Sequence, residues 1–352
     1  MFRKLTKQEY RDLSKKVLFS TFFHNPEWFD FLEKEFKWLK FEYYLYKPAR
    51  RSPRLAEATG EAQVGEGGDE LLLSFGRVGD KLISLPFCEY GGPLPLKSGV
   101  DFEEFKKDVL AEFGNNIKIK FHPRVLDYFD ISNKRSGRAS EAVEHQTLTY
   151  WIESLKNISE QELWESLRKT LRHEIKNAQE HRLEIKKCKN LKELKKFYKL
   201  YVANLKHKKT IPYPWPLIQF LYQNSSSELL LALYKRKVIG GELFLRYNKF
   251  VHYFLSASDY KYRDFSVSHL LLWEKIKSLV GKDIIFDLGA SPRGSALEVF
   301  KRGWGGKEYP IYQIGIKRKD EHLRSSKLRN IWGLLPNFVI KRLSSRLVRY
   351  RL

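Results

Sequence analysis

A chain of 352 residues that is 42% hydrophobic and 14% aromatic is long enough for two domains with separate cores, and too apolar for global disorder. Its 65 Lys and Arg against 42 Asp and Glu give a net charge of +23, which favours anionic partners such as nucleic acid, phosphorylated substrates or an anionic membrane face. Only two cysteines are present, Cys88 and Cys188 in unrelated contexts, which excludes a disulfide framework and a cysteine-based zinc site.

The opening MFRKLTKQEYRDL lacks the apolar core of a secretory signal, and no apolar run approaches the roughly 20 residues that span a bilayer, so the expected location is the cytoplasm. In FFHNPEWFDFLEKEF (22–36), Asn25 suits an N-cap and Pro26 a first turn. A helix is predicted there, with Trp28, Phe29, Phe31 and Phe36 on its buried face. Aromatic-rich FEYYLYKP (41–48) predicts a strand. Residues 49–70 are rich in Gly, Ala and charge and predict a solvated loop or disordered insert without chemistry. Then come two strands about a glycine turn (70–87), a helix with an acidic first turn (101–113), and a strand running from 116 into Pro123.

The second half begins near residue 145. Ser159 and Glu162 form a capping box ahead of one long helix, whose stripe is Leu163, Leu167, Leu171, Ile175 and Ala178. A second amphipathic helix covers 191–205, and segment 165–209 holds fifteen basic and five acidic residues. Residues 229–259 predict three strands with turns at Lys235–Lys237 and Tyr247–Lys249, followed by a helix (266–279) and a short strand (283–289). That order suits an α/β half with a mixed sheet. Gly289 and Gly294 then allow a sharp loop where backbone can approach a ligand, and Leu297–Lys301 forms a short helix or turn presenting Phe300 and Lys301. Residues 317–352 carry eleven basic and two acidic side chains. Beyond Pro336, Val339, Leu343 and Leu347 share a helical face, with Lys341, Arg342, Arg346 and Arg349 opposite. Such a tail can pack on the body, lie on an anionic membrane or grip RNA.

Four places bear residues suited to chemistry. LPFCEYGGPLPL (85–96) is a structural turn, or a loop lining an acceptor cleft through Tyr90, Gly91 and Gly92. HKKTIPYPWPL (207–217) sets His207, Lys208, Lys209 and Tyr213 in a proline-stiffened loop, either solvated or facing an anionic acceptor. His252 and Tyr253 point to opposite faces of a strand. His252 has the titration range of a general base, although a satisfied or surface histidine is the simpler use. Asp287, at a strand end before a glycine loop, can orient an amine or cap the loop backbone. No Walker loop, GxGxxG, HExxH, GxSxG or metal-ligand spacing occurs, which argues against metal- or nucleotide-dependent chemistry.

The segments FFHNPEWF (22–29), LPFCEYGGPLPL (85–96), ESLRKTLRHEIKNAQEHRLEI (165–185), HKKTIPYPWPLIQFL (207–221), VHYFLSASDYKYRDFSVSHLLLWEKI (251–276) and FDLGASPRGSALEVFKRGWGG (286–306), in that order, resemble the FemABX-like peptidyl and aminoacyl transferases of the GNAT superfamily. The resemblance spans most of residues 20–315. It implies an α/β (α+β) fold of two GNAT-like domains with mixed sheets, the second more complete, plus a basic helical tail. The implied boundaries are 1–145 with a flexible insert at 48–70, a catalytic domain at 146–316, and a tail at 317–352. The implied activity moves an acyl or aminoacyl group onto an amine of a cell-envelope, polysaccharide or peptidoglycan-type acceptor. Its donor is aminoacyl-tRNA or acyl-CoA, with no tightly bound cofactor.

The family's active-site Phe-Lys pair falls on Phe300 and Lys301, with Tyr253 as a further match. In this reading the Lys301 ammonium stabilises the tetrahedral oxyanion. The family's acceptor-binding cations and tyrosines fall at His207, Lys208, Lys209 and Tyr213. Tyr90, Gly91, Gly92, Ser258, Arg263 and Asp287 complete the implied substrate-binding set.

Three departures stand out. KYRDFSVSHLL has no glycine where a CoA pyrophosphate cradle needs one, leaving Arg263, Ser266 and Ser268 as donors. The coiled-coil arm of some tRNA-using relatives is missing. His122 precedes Pro123 where some relatives carry a carboxylate. The alternative is a non-catalytic RNA- or membrane-binding protein on a GNAT-like scaffold, with peripheral membrane contact through 336–352. A monomer is assumed.

Overall fold

The computed structural model describes residues 1–17, 20–48, 70–96, 100–124, 129–130, 147–153, 155–315 and 332–352. The insert expected over 48–70 falls almost wholly outside them. The chain forms two compact units, the first from Met1 to Leu148 with a returning segment that begins at Pro310, the second from Thr149 to Tyr309 with the C-terminal helix.

The first unit starts with β1 (Phe2–Leu5) and α1 (Lys7–Ser14), where Thr6 and Glu9 make a capping box. Helix α2 (Pro26–Glu35) has Asn25 as its cap and Pro26 in its first turn, and Trp28, Phe29 and Phe36 are buried as the spacing predicts. Strands β2 (Leu39–Tyr46), β3 (Leu71–Val78) and β4 (Lys81–Ser84) follow, then the short β5 (Leu94–Pro95) and β6 (Val100–Asp101). Asp101 caps α3 (Phe102–Phe113) by accepting from the Glu104 amide, and β7 (Ile117–Lys120) and β8 (Phe129–Asp130) come next. Among the described residues the main sheet runs β1-β2-β3-β4-β7, ending on the strand Gln313–Gly315, with β5 beside β3. Only β4 and β7 pair in parallel along this path. Its core includes Tyr46, Leu73, Phe75, Phe105, Val109, Ile119 and Phe121.

The second unit opens on β9 (Thr147–Ile152). The single long helix expected after Ser159 is two, α4 (Glu160–Ser166) and α5 (Lys169–Glu180). Leu167 and Arg168 between them are extended, with ψ of 145 for each. Leu163, Leu167, Leu171, Ile175 and Ala178 are all buried across the break. Then follow β10 (Glu184–Lys187), α6 (Leu191–His207), α7 (Trp215–Gln223), β11 (Ser227–Tyr234), β12 (Lys237–Tyr247), β13 (Phe250–Ser258), α8 (Val267–Lys277), β14 (Ile285–Asp287), β15 (Ser291–Pro292), α9 (Ala296–Arg302), β16 (Lys307–Ile311) and β17, the Gln313–Gly315 strand already placed in the first unit. The sheet order is β10-β11-β12-β13-β14-β9-β15, with β16 on β9. Lys235 and Arg236, both left-handed at φ 46 and 64, close the first hairpin.

The C-terminal helix α10 (Asn337–Leu347) packs on α6. Trp332 Nε1 donates to the Thr210 carbonyl at 3.2 Å, and Arg351 donates to that of Ile211 at 3.1 Å. The buried row is Ile340, Ser344 and Val348, one residue on from the expected Val339, Leu343 and Leu347, which are half-buried. Ser344 fits this row because it is small and its hydroxyl donates to Lys341 O of the same helix.

Candidate active site

Strands β13 and β14 run parallel for three rungs, Phe250 opposite Ile285, Val251 opposite Phe286 and His252 opposite Asp287. Their ladder ends there, while β13 continues to Ser258 and β14 turns into the loop 288–295. Just beyond this point β13 carries a bulge. Leu243 of β12 faces Leu255 and Phe244 faces Tyr253, so Phe254 is the extra residue.

At the last rung Asp287 is fully buried and held on both oxygens. Oδ1 accepts from the Thr149 hydroxyl at 2.6 Å and the Gly289 amide at 2.8 Å, and Oδ2 lies 2.6 Å from Nδ1 of buried His252. The imidazole is thus oriented by a carboxylate. Asp287 therefore caps the loop backbone, as one sequence expectation has it, and orients an imidazole besides. Thr149, from β9, has no signal in the sequence.

The loop is fastened at its far end by Glu298, which accepts from the Gly294 amide and the Tyr150 hydroxyl. Helix α9, capped by Ser295, brings Lys301 back beneath the loop. Lys301 is only 3% exposed, and its Nζ donates to the Ala290 carbonyl at 2.8 Å. Phe300 is half-buried, edge-on to His269 at 5.2 Å and to Trp304 at 6.2 Å.

Tyr253 points away from His252, as alternation requires, and donates to Glu242 Oε1 at 2.9 Å. Ser256 lies 3.4 Å from the same oxygen and from the Ser268 hydroxyl. Glu242 is fully buried, and its Oε2 has no hydrogen-bond partner among the described residues. Burial pushes its carboxyl well above the ordinary range, and burial with the Glu242 charge pushes the Tyr253 phenol up.

The loop 207–213 reaches β13 through Tyr213, whose ring stacks on Phe254 at 5.7 Å and lies 4.0 Å under the Arg351 guanidinium. His207, Lys208 and Lys209 are exposed, with His207 against Tyr260 at 4.6 Å. Asn204 donates to the Ser258 carbonyl at 3.0 Å. Arg263 is exposed and bonded to the Tyr260 hydroxyl at 2.6 Å and to Asp264. Before α8, Ser266 is left-handed at φ 49, and its hydroxyl donates to Glu174. A carboxylate thus stands at the N-terminus of α8.

In the first unit, Tyr90 is buried edge-on to His122 at 5.2 Å. The amides of Gly91 and Gly92 both donate to the Lys120 carbonyl. A Cβ on Gly92 would stand 2.9 Å from Phe121 Cα. The two glycines let this turn press against β7, which is the structural role foreseen for the segment.

No curated protein matches the chain. Residues 165–302 match the family of acetyltransferase (GNAT) domains. The crystal structure of FemX is similar at a TM-score of 0.54 and 14% identity, with 92% of this chain and 99% of that one covered. Residues 165–302 therefore carry a GNAT domain, and the chain as a whole shares the fold of FemX. A conserved protein of unknown function from Bacteroides thetaiotaomicron VPI-5482 is similar at 0.54 and 9% identity, covering 90% of this chain and 99% of that one. A C-terminal domain assigned to a lysylphosphatidylglycerol synthetase of Agrobacterium fabrum follows at 0.50 and 12%, covering 91% and 95%. The GNAT acyltransferase fold brings with it an activated acyl donor and an amine acceptor. Among the described residues, no cluster of His, Cys, Asp and Glu could hold a metal ion, and no helix is long and apolar enough to cross a membrane.

Proposed function

We propose that the protein is a cytoplasmic N-acyltransferase that moves an aminoacyl group from an activated ester onto an amine of an anionic, cell-envelope-type acceptor. The observation that carries this is the buried Thr149–Asp287–His252 chain at the point where β13 and β14 part. An amine that attacks an acyl carbon must lose a proton as the C–N bond forms. His252 takes that proton, and Asp287 fixes the tautomer and balances the imidazolium. The C–O bond of the donor then breaks, and His252 returns the proton to the leaving hydroxyl. Lys301, held by the Ala290 carbonyl, supports the negative charge on the acyl oxygen.

Aminoacyl-tRNA is the donor favoured over acyl-CoA, because the carboxylate of Glu174 from α5 meets Ser266 at the start of α8 and segment 165–209 is strongly basic. The names FemX and lysylphosphatidylglycerol synthetase among the similar folds agree with this choice. His207, Lys208, Lys209, Tyr213 and Arg263 are the acceptor-side groups of the second unit. The test supplies the purified chain with labelled aminoacyl-tRNAs or acyl-CoAs and soluble peptidoglycan precursors, and follows the label by mass spectrometry. Label should reach an acceptor amine from the tRNA ester. Absence of transfer from either donor class defeats the proposal.

A further inference from the structure

The C-terminal segment has an outer face as well as the buried one that grips α6. It exposes Leu334 and Pro336 ahead of the helix, Phe338, Arg342 and Arg346 at four-residue spacing along one ridge of it, and Tyr350 in the turn that follows. Leu334 is 81% exposed, Phe338 73% and Tyr350 55%, three of the eight large apolar or aromatic side chains left open among the described residues. Arg349 is also exposed, with its guanidinium 5.0 Å over the Tyr350 ring. Residues 332–352 contain no acidic side chain. Lys209 adds a cation beside the apolar end, its side chain lying against Gly333. The ridge therefore leads with Leu and Phe, continues with arginines and ends on an aromatic ring.

We propose that this ridge docks the protein on an anionic lipid bilayer. Leu334 and Phe338 enter the boundary between headgroups and acyl chains, Arg342, Arg346 and Arg349 bind lipid phosphates, and Tyr350 lies at the interface. The composition selects this occupant. A nucleic acid offers phosphates to the arginines but no apolar phase for an exposed leucine. A second copy of the chain would set the same arginine ridge against itself. The surface also differs from the one the sequence suggests, since Val339, Leu343 and Leu347 are only half-buried and flank it. The inference is separable from the proposed reaction, because only Lys209 is shared with the acceptor side and none of Leu334, Phe338, Arg342, Arg346 and Arg349 belongs to it.

The experiment is co-sedimentation of the full chain with vesicles of phosphatidylcholine alone, or of equal parts phosphatidylcholine and phosphatidylglycerol. Binding is expected to the mixed vesicles only. Leu334→Ser with Phe338→Ser should weaken it about tenfold, and Arg342→Gln with Arg346→Gln and Arg349→Gln about a hundredfold. All five positions are exposed, so these variants should keep the unfolding temperature of the parent. Phe338→Trp supplies a second measurement, with emission shifting to the blue on mixed vesicles. The proposal is overturned by absence of binding, by binding that survives the Leu334 and Phe338 substitutions, by no shift at Trp, or by a chain that ignores vesicles and loses tRNA affinity with its arginines.

Discussion

Asp287 concentrates three separate demands on one carboxylate, and its substitution separates them. Asp287→Asn keeps the volume but turns one acceptor oxygen into a donor, so His252 loses its orienting charge. Turnover should fall by about 10²–10⁴, with the acidic limb of the pH–rate profile displaced to lower pH. Thr149→Val, which removes only one of Asp287's three contacts, should cost much less. A transfer assay across pH on both variants checks this, and equal losses would mean that the carboxylate acts only in folding. Glu242 gives a second residue-scale prediction. Its folded-state pKa is raised by burial, so its contribution to stability is complete below the unfolded carboxylate pKa and is lost as pH rises toward the folded value. Glu242→Gln should therefore raise the unfolding temperature at pH 8 and change little at pH 4, as thermal unfolding at the two values would show. The sequence makes His252 and Asp287 visible singly, with dull uses outweighing chemical ones. What it hides is their meeting, because the rung that pairs them joins strands 35 residues apart and is completed by Thr149, 138 residues away.

Among the elements, those with a cap or a period were legible: α2 from Asn25 and Pro26, α3 from Asp101, and the β11–β12–β13 meander from its turns. The break between α4 and α5 was not, because Leu163, Leu167 and Leu171 keep four-residue spacing straight through it. The tail's inward face was missed by one position because a serine, ranked polar, is the residue that permits close packing. Strands of two or three residues, such as β5, β15 and β17, have no room for a period at all. Of these, β17 carries the sharpest prediction. Gly315 has φ +87, and a Cβ there would lie 1.7 Å from the Ile117 carbonyl oxygen, so Gly315→Ala should strip the strand from β7 and destabilise the first unit. A loss of about 2 kcal/mol or more is expected in denaturant unfolding.

At the scale of the whole molecule, the chain lays down one unit, builds the other, and then returns at Pro310 to the first. The sequence places the division near 145 and shows no sign of the return, since nothing in a three-residue strand names its partner. A chain ending at residue 309 should consequently leave β7 an edge strand, and amide exchange over Ile117–Lys120 should quicken markedly against the full chain. Equal protection in both would show β17 to be dispensable. The same topology sets a timetable for biosynthesis. Between Lys120 and Gly315 lie nearly two hundred codons, so at about 5–20 residues per second the nascent N-terminal sheet waits roughly ten to forty seconds for its last strand. Throughout that interval the emerging polypeptide presents an unpaired β7 edge to the ribosome's surroundings, and a chaperone that covers it would raise the yield of native protein.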